Sequence, residues 1–380
     1  MNKIKIMTVF GTRPEAIKMA PLIKELAKDP EHFSVKNIIT AQHREMLDQV
    51  LNIFQIKPDY DLDIMEQNQT LSKITTKVIL ALDEIFIKEK PDLILVHGDT
   101  TTTFAAALSA FYHQIAIGHV EAGLRTWDKY SPFPEEMNRQ MVDDLTDLYF
   151  APTEKNYNNL VSEHKKKEQI FITGNTGIDA LKYTVNDNFA SSEFKGLDFS
   201  KKIILLTAHR RENQGEKMEK MFEAILSVVK SDSNLQLVYP VHRSPAVQKA
   251  AHDVFDHENQ VKLINPLDVV HFHNLLKRSF LVLSDSGGIQ EEAPALNKPV
   301  LVLRDTTERP EAVQTGAIKL VGTDPAVIKK TMIELINHPE EYQQMAEAKN
   351  PYGDGEASQR IIEAIKAHFG LITDRPKNFS

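Results

Sequence analysis

Short apolar runs rich in β-branched residues recur along the chain, each followed by a polar or glycine-containing loop and then by a helical pattern. Ile4–Phe10 is the first such run, and the apolar spacing from Met19 to Leu26 after it fits one face of a helix. Strands that are apolar throughout are typical of parallel sheets covered by helices on both faces. The pattern therefore predicts an α/β protein with doubly wound, Rossmann-like sheets.

These runs fall into two series that are separated by a polar stretch, Asn186–Lys201, without strand or helix periodicity. We predict an N-terminal domain over 1–185, a C-terminal domain over 186–354, and a last helix within 355–380 that crosses back to the first domain. The two domains are expected to face a central cleft. The predicted strands are Ile4–Phe10, Val35–Thr40, Leu93–Val96, Ile115–Val120, Ile170–Thr173, Ile203–Thr207, Leu235–Val241, Lys262–Ile264, Phe280–Ser284 and Val300–Leu303.

Length and composition agree with this organisation. At about 150 residues per domain, the 380 residues correspond to roughly two to three domains. The absence of Cys excludes disulfides, thiolate nucleophiles and Cys-ligated zinc. A net charge of −8 argues against bulk nucleic-acid binding. The first apolar run stops at Gly11, and no stretch approaches the ~18 residues of a membrane span, so a cytoplasmic protein without membrane contact is expected.

The loop after the first predicted strand, Gly11-Thr12-Arg13-Pro14-Glu15, is the first candidate site, because ligands of parallel α/β sheets bind at the carboxyl ends of strands. Gly11 permits a tight turn, and Arg13 and Lys18 can face an anion. An ordinary strand–helix turn with surface charges is the alternative. The chain contains no G-x-G-x-x-G, so no nicotinamide cofactor is predicted.

A second glycine-containing loop, Ser286-Gly287-Gly288, follows the strand Phe280–Ser284. Backbone N–H groups at such a helix start can bind phosphate. Glu292, one turn later, could bind ribose hydroxyls. A helix cap would account for the serine and glycines but not for the acids that follow, so a binding function is favoured.

Carboxylates also follow the predicted strands of the first domain: Asp99, Glu121, and either Glu135 or Glu136. Grouped acids perturb one another's pKa values and suit proton transfer to and from a substrate. Each could instead cap a helix, Asp99 above all. With Arg125 and Arg139 expected nearby, catalysis is the favoured interpretation.

Basic residues at strand ends of the second domain complete the candidates. His209 ends the first strand there, with arginines for a diphosphate, and Arg304 and Arg309 follow the strand Val300–Leu303. His271 and His273 lack the i, i+4 spacing of a zinc pair, so no metal is predicted.

Together these loops resemble the non-hydrolysing UDP-N-acetylglucosamine 2-epimerases of bacteria. The resemblance implies the two-domain GT-B architecture and a homodimer. It covers nearly the whole chain in order, with the motifs GTRPEAIKMAPL (Gly11–Leu22), TAQHREMLDQVL (Thr40–Leu51), VHGDTTTT (Val96–Thr103), GHVEAGLRT (Gly118–Thr126), PEEMNR (Pro134–Arg139), ITGNT (Ile172–Thr176), HRREN (His209–Asn213), SDSGGIQEEAP (Ser284–Pro294), RDTTERPEA (Arg304–Ala312) and NPYGDG (Asn350–Gly355).

The resemblance implies interconversion of UDP-GlcNAc and UDP-ManNAc for cell-surface polysaccharide. Elimination of UDP to 2-acetamidoglucal followed by re-addition is expected, because no carbonyl adjoins C2 and no nicotinamide fingerprint is present. A GT-B glycosyltransferase, a hydrolysing epimerase and a catalytically silent nucleotide-sugar-binding regulator are the alternatives. By motif match, the acid–base candidates are Asp99, Glu121 and Glu135, the diphosphate-stabilising residues are Arg13 and His209, and the UDP-binding set adds Lys18, Phe272, Ser286, Gly287, Gly288, Glu292 and Arg309.

Many bacterial members also bind UDP-GlcNAc at a regulatory site, and Gln42, Arg210 and His242 match that set. Some relatives have Gln where this chain has Glu45, and Arg where it has Asn68. These differences should weaken the attraction for a second diphosphate.

Overall fold

The computed structural model describes residues 3–41, 44–66, 69–307 and 309–380. The chain divides into two units, and each has its own sheet. Unit 1 comprises Met1–Tyr183 and Tyr352–Ser380, whereas unit 2 comprises Thr184–Pro351. In chain order, unit 2 is therefore an insertion within unit 1.

Unit 1 is built on a seven-stranded parallel sheet in the order β3-β2-β1-β4-β5-β6-β7. The order reverses between β1 and β4, which is where doubly wound sheets bind ligands. The strands are β1 (Ile4–Phe10), β2 (Phe33–Ile39), β3 (Tyr60–Asp61), β4 (Leu93–His97), β5 (Ala116–Val120), β6 (Leu148–Ala151) and β7 (Ile170–Ile172).

Helices cover both faces of this sheet, as the buried apolar strands require. The side chains of Val9 and Val96, for example, are completely buried beneath α3 and α4. The helices of this part of the chain are α1 (Arg13–Ala27), α2 (Arg44–Phe54), α3 (Leu71–Glu89), α4 (Thr101–Tyr112), α5 (Glu135–Leu145), α6 (Glu154–Ser162), α7 (Thr176–Asp179) and α8 (Leu181–Thr184).

Unit 2 is built on a six-stranded parallel sheet in the order β10-β9-β8-β11-β12-β13. The strands are β8 (Lys202–Thr207), β9 (Leu235–Pro240), β10 (Val261–Ile264), β11 (Leu281–Ser284), β12 (Val300–Val302) and β13 (Ile318–Leu320). The helices are α9 (Glu216–Val229), α10 (Pro245–Phe255), α11 (Val269–Arg278), α12 (Ile289–Ala295), α13 (Pro310–Gln314), α14 (Pro325–Asn337) and α15 (Pro339–Ala346). Two doubly wound, Rossmann-like sheets are thus present, which confirms the predicted α/β fold class.

The last helix, α16 (Ala357–His368), belongs to unit 1, where it packs against α1 and α7. Its N-terminus is held by the buried Asp179 carboxylate, which accepts hydrogen bonds from the N–H groups of Ala357 (3.1 Å) and Ser358 (2.6 Å). Such contacts satisfy two of the orphan N–H groups of a helix start.

Within the described ranges, none of the helices has both the length and the apolar character needed to cross a membrane.

Candidate functional site

The candidate residues of unit 1 follow three strands that are neighbours in the sheet, namely β1, β4 and β5. Gly11, Asp99 and Glu121 stand within two residues of the carboxyl ends of these strands. Because all three strands run parallel, their ends meet at one edge of the sheet. The structure therefore brings these three predicted residues together.

The loop after β1 is held in place by the buried carboxylate of Glu15, which was not among the predicted site residues. Glu15 accepts hydrogen bonds from the N–H groups of Gly11 (3.0 Å) and Thr12 (2.7 Å) and from the hydroxyls of Thr100 (2.7 Å) and Thr103 (3.0 Å). Burial raises the pKa of Glu15, although these hydrogen bonds oppose the effect. Thr12 and Glu15 form a capping box, so the T-x-x-E spacing in the sequence could have identified this role of Glu15.

Arg13 and Lys18 extend from the first two turns of α1. Arg13 is half-buried, and its Nε has no hydrogen-bond partner in the part of the chain that the structure describes. Lys18 forms an ion pair with Glu121. The helix thus supplies one guanidinium suited to an anion and one ammonium paired with a candidate catalytic acid.

Glu121 directly follows β5 and has a positive φ of 68°, which is uncommon for a residue with a side chain. Besides Lys18, it accepts a hydrogen bond from Asn175 Nδ2 (2.9 Å), and His97 Nε2 lies 3.5 Å from its Oε2. Burial lowers the pKa of His97 to about 3, so this imidazole is neutral at physiological pH. The cation and the amide stabilise the charged form of the Glu121 carboxylate.

Asp99 lies just before α4 and does not cap that helix, because Thr100 is the N-cap and accepts a hydrogen bond from the N–H of Thr103. Its carboxylate instead pairs with Arg139 (Nη2–Oδ2 2.5 Å). Burial raises the pKa of Asp99; Arg139 opposes the rise, whereas the charges of Glu121 and Glu135 add to it. Asp99 and Glu121 therefore lie in different surroundings, the first against a guanidinium and the second against an ammonium and an amide.

The two adjacent acids at the start of α5 have different surroundings. The Glu136 side chain is fully buried and accepts hydrogen bonds from the N–H groups of Thr126 and Trp127, both at 3.0 Å. Glu135 is only partly buried and is close enough to Asp99 to affect its pKa. The geometry thus leaves Glu135 as the acid–base candidate and gives Glu136 a structural role.

Arg125, which was expected near these acids, pairs with two other carboxylates. Its buried guanidinium binds Asp143 (2.7 Å) and Glu163 (2.6 Å). His119 joins the same network, with Nδ1 2.6 Å from Asp143 and Nε2 2.7 Å from the carbonyl oxygen of Gly98, next to Asp99. The network therefore holds the loop after β4 in place, and its buried side chains do not face a substrate.

In unit 2, the loop after β8 carries His209 and Arg210. The His209 ring stacks on His242, with centroids 5.2 Å apart and planes 14° apart, and its Nδ1 lies 3.5 Å from Oδ1 of Asp285. Burial lowers the pKa of His209, and the neighbouring charge of Asp285 opposes that effect. His209 is therefore a partly exposed imidazole between two fixed groups.

The glycine loop of unit 2 is arranged around Arg309. A Cβ on Gly287 would approach the Arg309 guanidinium to 2.8 Å, so a larger residue there would displace the end of the Arg309 side chain. Arg309 Nε donates to Glu291 (2.8 Å). Gly288 caps the short helix α12 in an α-helical conformation, and Ser286, partly buried, precedes it.

Glu292 and Phe272 lie close to a shared histidine. His273 is fully buried, its Nε2 lies 3.4 Å from Glu292 Oε2, and its ring meets the Phe272 ring edge-on at 6.3 Å. The structure therefore groups these two predicted nucleotide-binding residues. Arg304, by contrast, is buried and pairs with Glu212 (2.9 Å), contrary to the expectation that it faces a ligand.

Two of the predicted regulatory residues, Arg210 and His242, lie beside His209. Gln42 and Asn68 lie outside the described residues, as does the side chain of Glu45. No group of three or more His, Asp or Glu side chains with the geometry to hold a metal ion occurs among the residues described.

Comparison with known proteins defines the class to which this fold and site belong. The sequence model of the family described as UDP-N-acetylglucosamine 2-epimerase matches residues 24–366. The chain is 57% identical to the UDP-N-acetylglucosamine 2-epimerase of Bacillus subtilis, over 100% of both chains. A crystal structure of a UDP-N-acetylglucosamine 2-epimerase superposes with a TM-score of 0.94 at 55% identity, again over 100% of both chains.

A Neisseria meningitidis UDP-GlcNAc 2-epimerase, solved bound to UDP-GlcNAc, is 50% identical with a TM-score of 0.85, over 95% of this chain and 99% of that one. These are isomerases, and the relatedness extends over both units. The chain belongs to the UDP-N-acetylglucosamine 2-epimerase family.

Proposed function

We propose that this protein interconverts UDP-GlcNAc and UDP-ManNAc by epimerisation at C2, through elimination of UDP and its re-addition. The observation that carries the proposal is the pair of carboxylates after β4 and β5. Asp99 pairs with Arg139 and its pKa is raised by burial, whereas Glu121 pairs with Lys18 and accepts a hydrogen bond from Asn175. Two neighbouring carboxylates in different surroundings suit a reaction that removes one proton and delivers another.

The elimination step breaks two bonds of the substrate. A carboxylate takes the C2 proton, the C2–H electron pair forms the C1–C2 double bond of 2-acetamidoglucal, and the C1–O bond breaks as UDP departs with its electron pair. UDP then adds back at C1 while a second acid delivers a proton to the other face of C2. We assign these proton transfers to Asp99, Glu121 and Glu135, without ordering them.

The remaining predicted residues bind the nucleotide in this proposal. Arg13 and His209 stabilise the charge that develops on the departing diphosphate, which is a large part of catalysis for such leaving groups. The half-buried Arg13, whose Nε has no hydrogen-bond partner among the described residues, supports this role. Lys18, Ser286, Gly287, Gly288, Glu292, Arg309 and Phe272 complete the UDP-binding set.

Incubation of the purified protein with UDP-GlcNAc alone in D₂O tests the proposal. A reversible mixture of UDP-GlcNAc and UDP-ManNAc with deuterium at C2, measured by NMR, is expected. A glycosyltransferase would give no exchange without an acceptor, and a silent nucleotide-sugar-binding protein would give none at all. Irreversible accumulation of UDP and free ManNAc would indicate a hydrolysing epimerase.

We also propose that the protein acts as a cytoplasmic homodimer that supplies ManNAc units for a cell-surface polysaccharide. Exposed apolar side chains on α3 (Leu80 and Ile87) and α4 (Phe111 and Tyr112) support self-association. Light scattering should give twice the chain mass of 43.1 kDa. A monomer mass at micromolar concentration would contradict the dimer.

A further inference from the structure

One buried carboxylate, Asp285, holds the loop after β8, and no role had been assigned to it. Asp285 follows β11, the neighbour of β8 in the sheet, and its side chain is 0% exposed. Its Oδ2 accepts hydrogen bonds from the N–H groups of His209 (2.9 Å) and Arg210 (2.8 Å) and from Asn213 Nδ2 (3.2 Å). This oxygen therefore fixes the backbone that carries His209.

The other oxygen of Asp285 faces the imidazole. Oδ1 is buried and has no hydrogen-bond partner among the residues described here, and His209 Nδ1 lies 3.5 Å from it. A buried carboxylate oxygen without a partner is costly. Catalytic hydrogen bonds are often long in ligand-free structures and shorten when the substrate binds. A small movement of the His209 ring would therefore complete this bond.

The His209 ring is also restrained on its face. His242 stacks on it, and His242 Nδ1 accepts a hydrogen bond from the N–H of Ser244 (3.1 Å), which fixes the second ring in turn. The residue before His209 is held as well, because the buried Tyr239 hydroxyl donates to the carbonyl oxygen of Ala208 (2.6 Å). The main movement left to the His209 ring is therefore one that brings Nδ1 closer to Asp285.

We propose that Asp285 is the positioning residue of His209, accepting the Nδ1–H so that Nε2 is the nitrogen presented to the diphosphate. The inference rests on the proposed function, in which His209 stabilises the departing UDP. A protonated ring can then donate from Nε2 to a phosphate oxygen while Asp285 compensates its charge.

The charges near His209 predict in which direction its pKa should move when Asp285 is changed. Three ionisable groups face the His209 ring: Asp285, His242 and Arg210. Burial, His242 and Arg210 each lower the pKa of His209, and Asp285 alone raises it. Removal of the Asp285 charge should therefore lower the pKa of His209 further, so that the protonated form is lost at a lower pH.

The test compares the full-length protein with Asp285→Asn. Because three donors surround the Oδ2 position, the amide oxygen takes that place and the NH₂ group faces His209 Nδ1. Histidine side-chain NMR of the ligand-free protein, assigned with His209→Gln, reports the tautomer and its titration. The wild type should show the Nδ1–H tautomer, and Asp285→Asn should titrate at lower pH.

Kinetics with UDP-GlcNAc supplies the second readout. For Asp285→Asn we expect kcat to fall about 10²-fold, the usual order for loss of an oriented acid–base group, with a small change in KM. The alkaline limb of the kcat–pH profile should move to lower pH. In the His209→Gln background the same substitution should add little, because Asp285 acts through His209.

Asn213→Ala is the matched control, because it removes another partner of Asp285 and leaves Oδ1 and His209 in place. It should lower the melting temperature without moving the alkaline limb. A wild-type Nε2–H tautomer, an unchanged His209 titration in Asp285→Asn, or independent effects in the double variant would each overturn the proposal. If the wild type does not epimerise UDP-GlcNAc, the proposed function fails, and the NMR experiment still decides the role of Asp285.

Discussion

An imidazole–carboxylate pair at a strand end of unit 1, His97 and Glu121, has a counterpart in unit 2, His209 and Asp285, in which the buried and exposed groups are exchanged. In unit 1, His97 is 4% exposed and lies behind Glu121, which is 13% exposed. In unit 2, Asp285 is 0% exposed and lies behind His209, which is 38% exposed. Both pairs have the same 3.5 Å separation between nitrogen and oxygen.

If the proposed function holds, this difference means that burial selects which group of each pair contacts the substrate. In the proposed function, the buried partner orients the exposed one, and the exposed one contacts the substrate. A carboxylate suits proton removal from carbon, whereas an imidazole suits a departing phosphate. Under the proposal, the same two residue types thus serve two tasks, and the substitutions below test this contrast.

Replacement of the presented group in unit 1 should have the largest effect. Glu121→Gln keeps the volume but can neither accept nor deliver a proton at C2, so we expect a loss of about 10³-fold in the rate of deuterium incorporation at C2. Glu89→Gln is the matched control, because Glu89 also pairs with a lysine (Lys36, 2.6 Å) but lies at the end of α3. Equal rates for the two variants would refute a role for Glu121 in proton transfer.

The buried imidazole of unit 1 should make stability depend on pH. The pKa of His97 is lowered by burial from 6.5 to about 3, so the unfolded chain binds a proton that the folded protein does not. Stability is then fully present above pH 6.5 and is lost as the pH falls toward about 3, by a few kcal/mol. His97→Gln should flatten the decline in unfolding free energy, measured by denaturation between these pH values.

His209→Gln is the corresponding substitution in unit 2. The pKa of His209 is also lowered by burial, but its ring is partly in solvent, so the flattening should be smaller than for His97→Gln. If the curves of stability against pH for the wild type and His97→Gln were parallel, His97 would bind its proton in the folded state as it does in the unfolded chain, which would contradict the prediction for His97.

The two buried partners should differ in their kinetic signatures. His97 is neutral over the working pH range, so His97→Gln should lower kcat about tenfold through misplacement of Glu121 without moving either limb of the kcat–pH profile. Asp285→Asn, by contrast, should move the alkaline limb. A shifted limb in His97→Gln would mean that the two pairs work alike.

Replacement of Asp179, a carboxylate with only a structural role, should have the smallest effect on activity and gives a baseline for the other variants. Asp179 caps α16 and contacts neither pair in the described structure. Asp179→Asn should cost about 1 kcal/mol of stability, as is usual for a weakened helix cap, with kcat unchanged. Thermal melts and the deuterium assay would measure both quantities, and a changed kcat would show that α16 affects the chemistry.

Much of the fold could be predicted from strand-length apolar runs. The bounds of β1 were predicted to the residue, and most other strands were predicted within two residues at each end. The series missed β3, β6 and β13, which have two, four and three residues. Runs this short carry little periodicity, and only pairing with neighbouring strands identifies them as strands.

The candidate site was predictable as a set of strand-end loops, but its internal contacts were not. Arg125 was expected near the catalytic acids and Arg304 was expected to face a ligand, yet each binds an acid far along the chain, Glu163 and Glu212 respectively. Asp285 is one residue in a recognised motif, and only its burial and its distance to His209 indicate a role. Long-range partners follow from the folded topology, which local patterns do not encode.

The insertion of unit 2 within unit 1 also determines when each unit can be completed during synthesis. Thr184–Pro351 leave the ribosome before Ala357, so the face of α1 that receives α16 stays uncovered while unit 2 is made. At usual elongation rates this delay is roughly ten to thirty seconds. The nascent chain therefore exposes, during this time, the surface of α1 that α16 later covers.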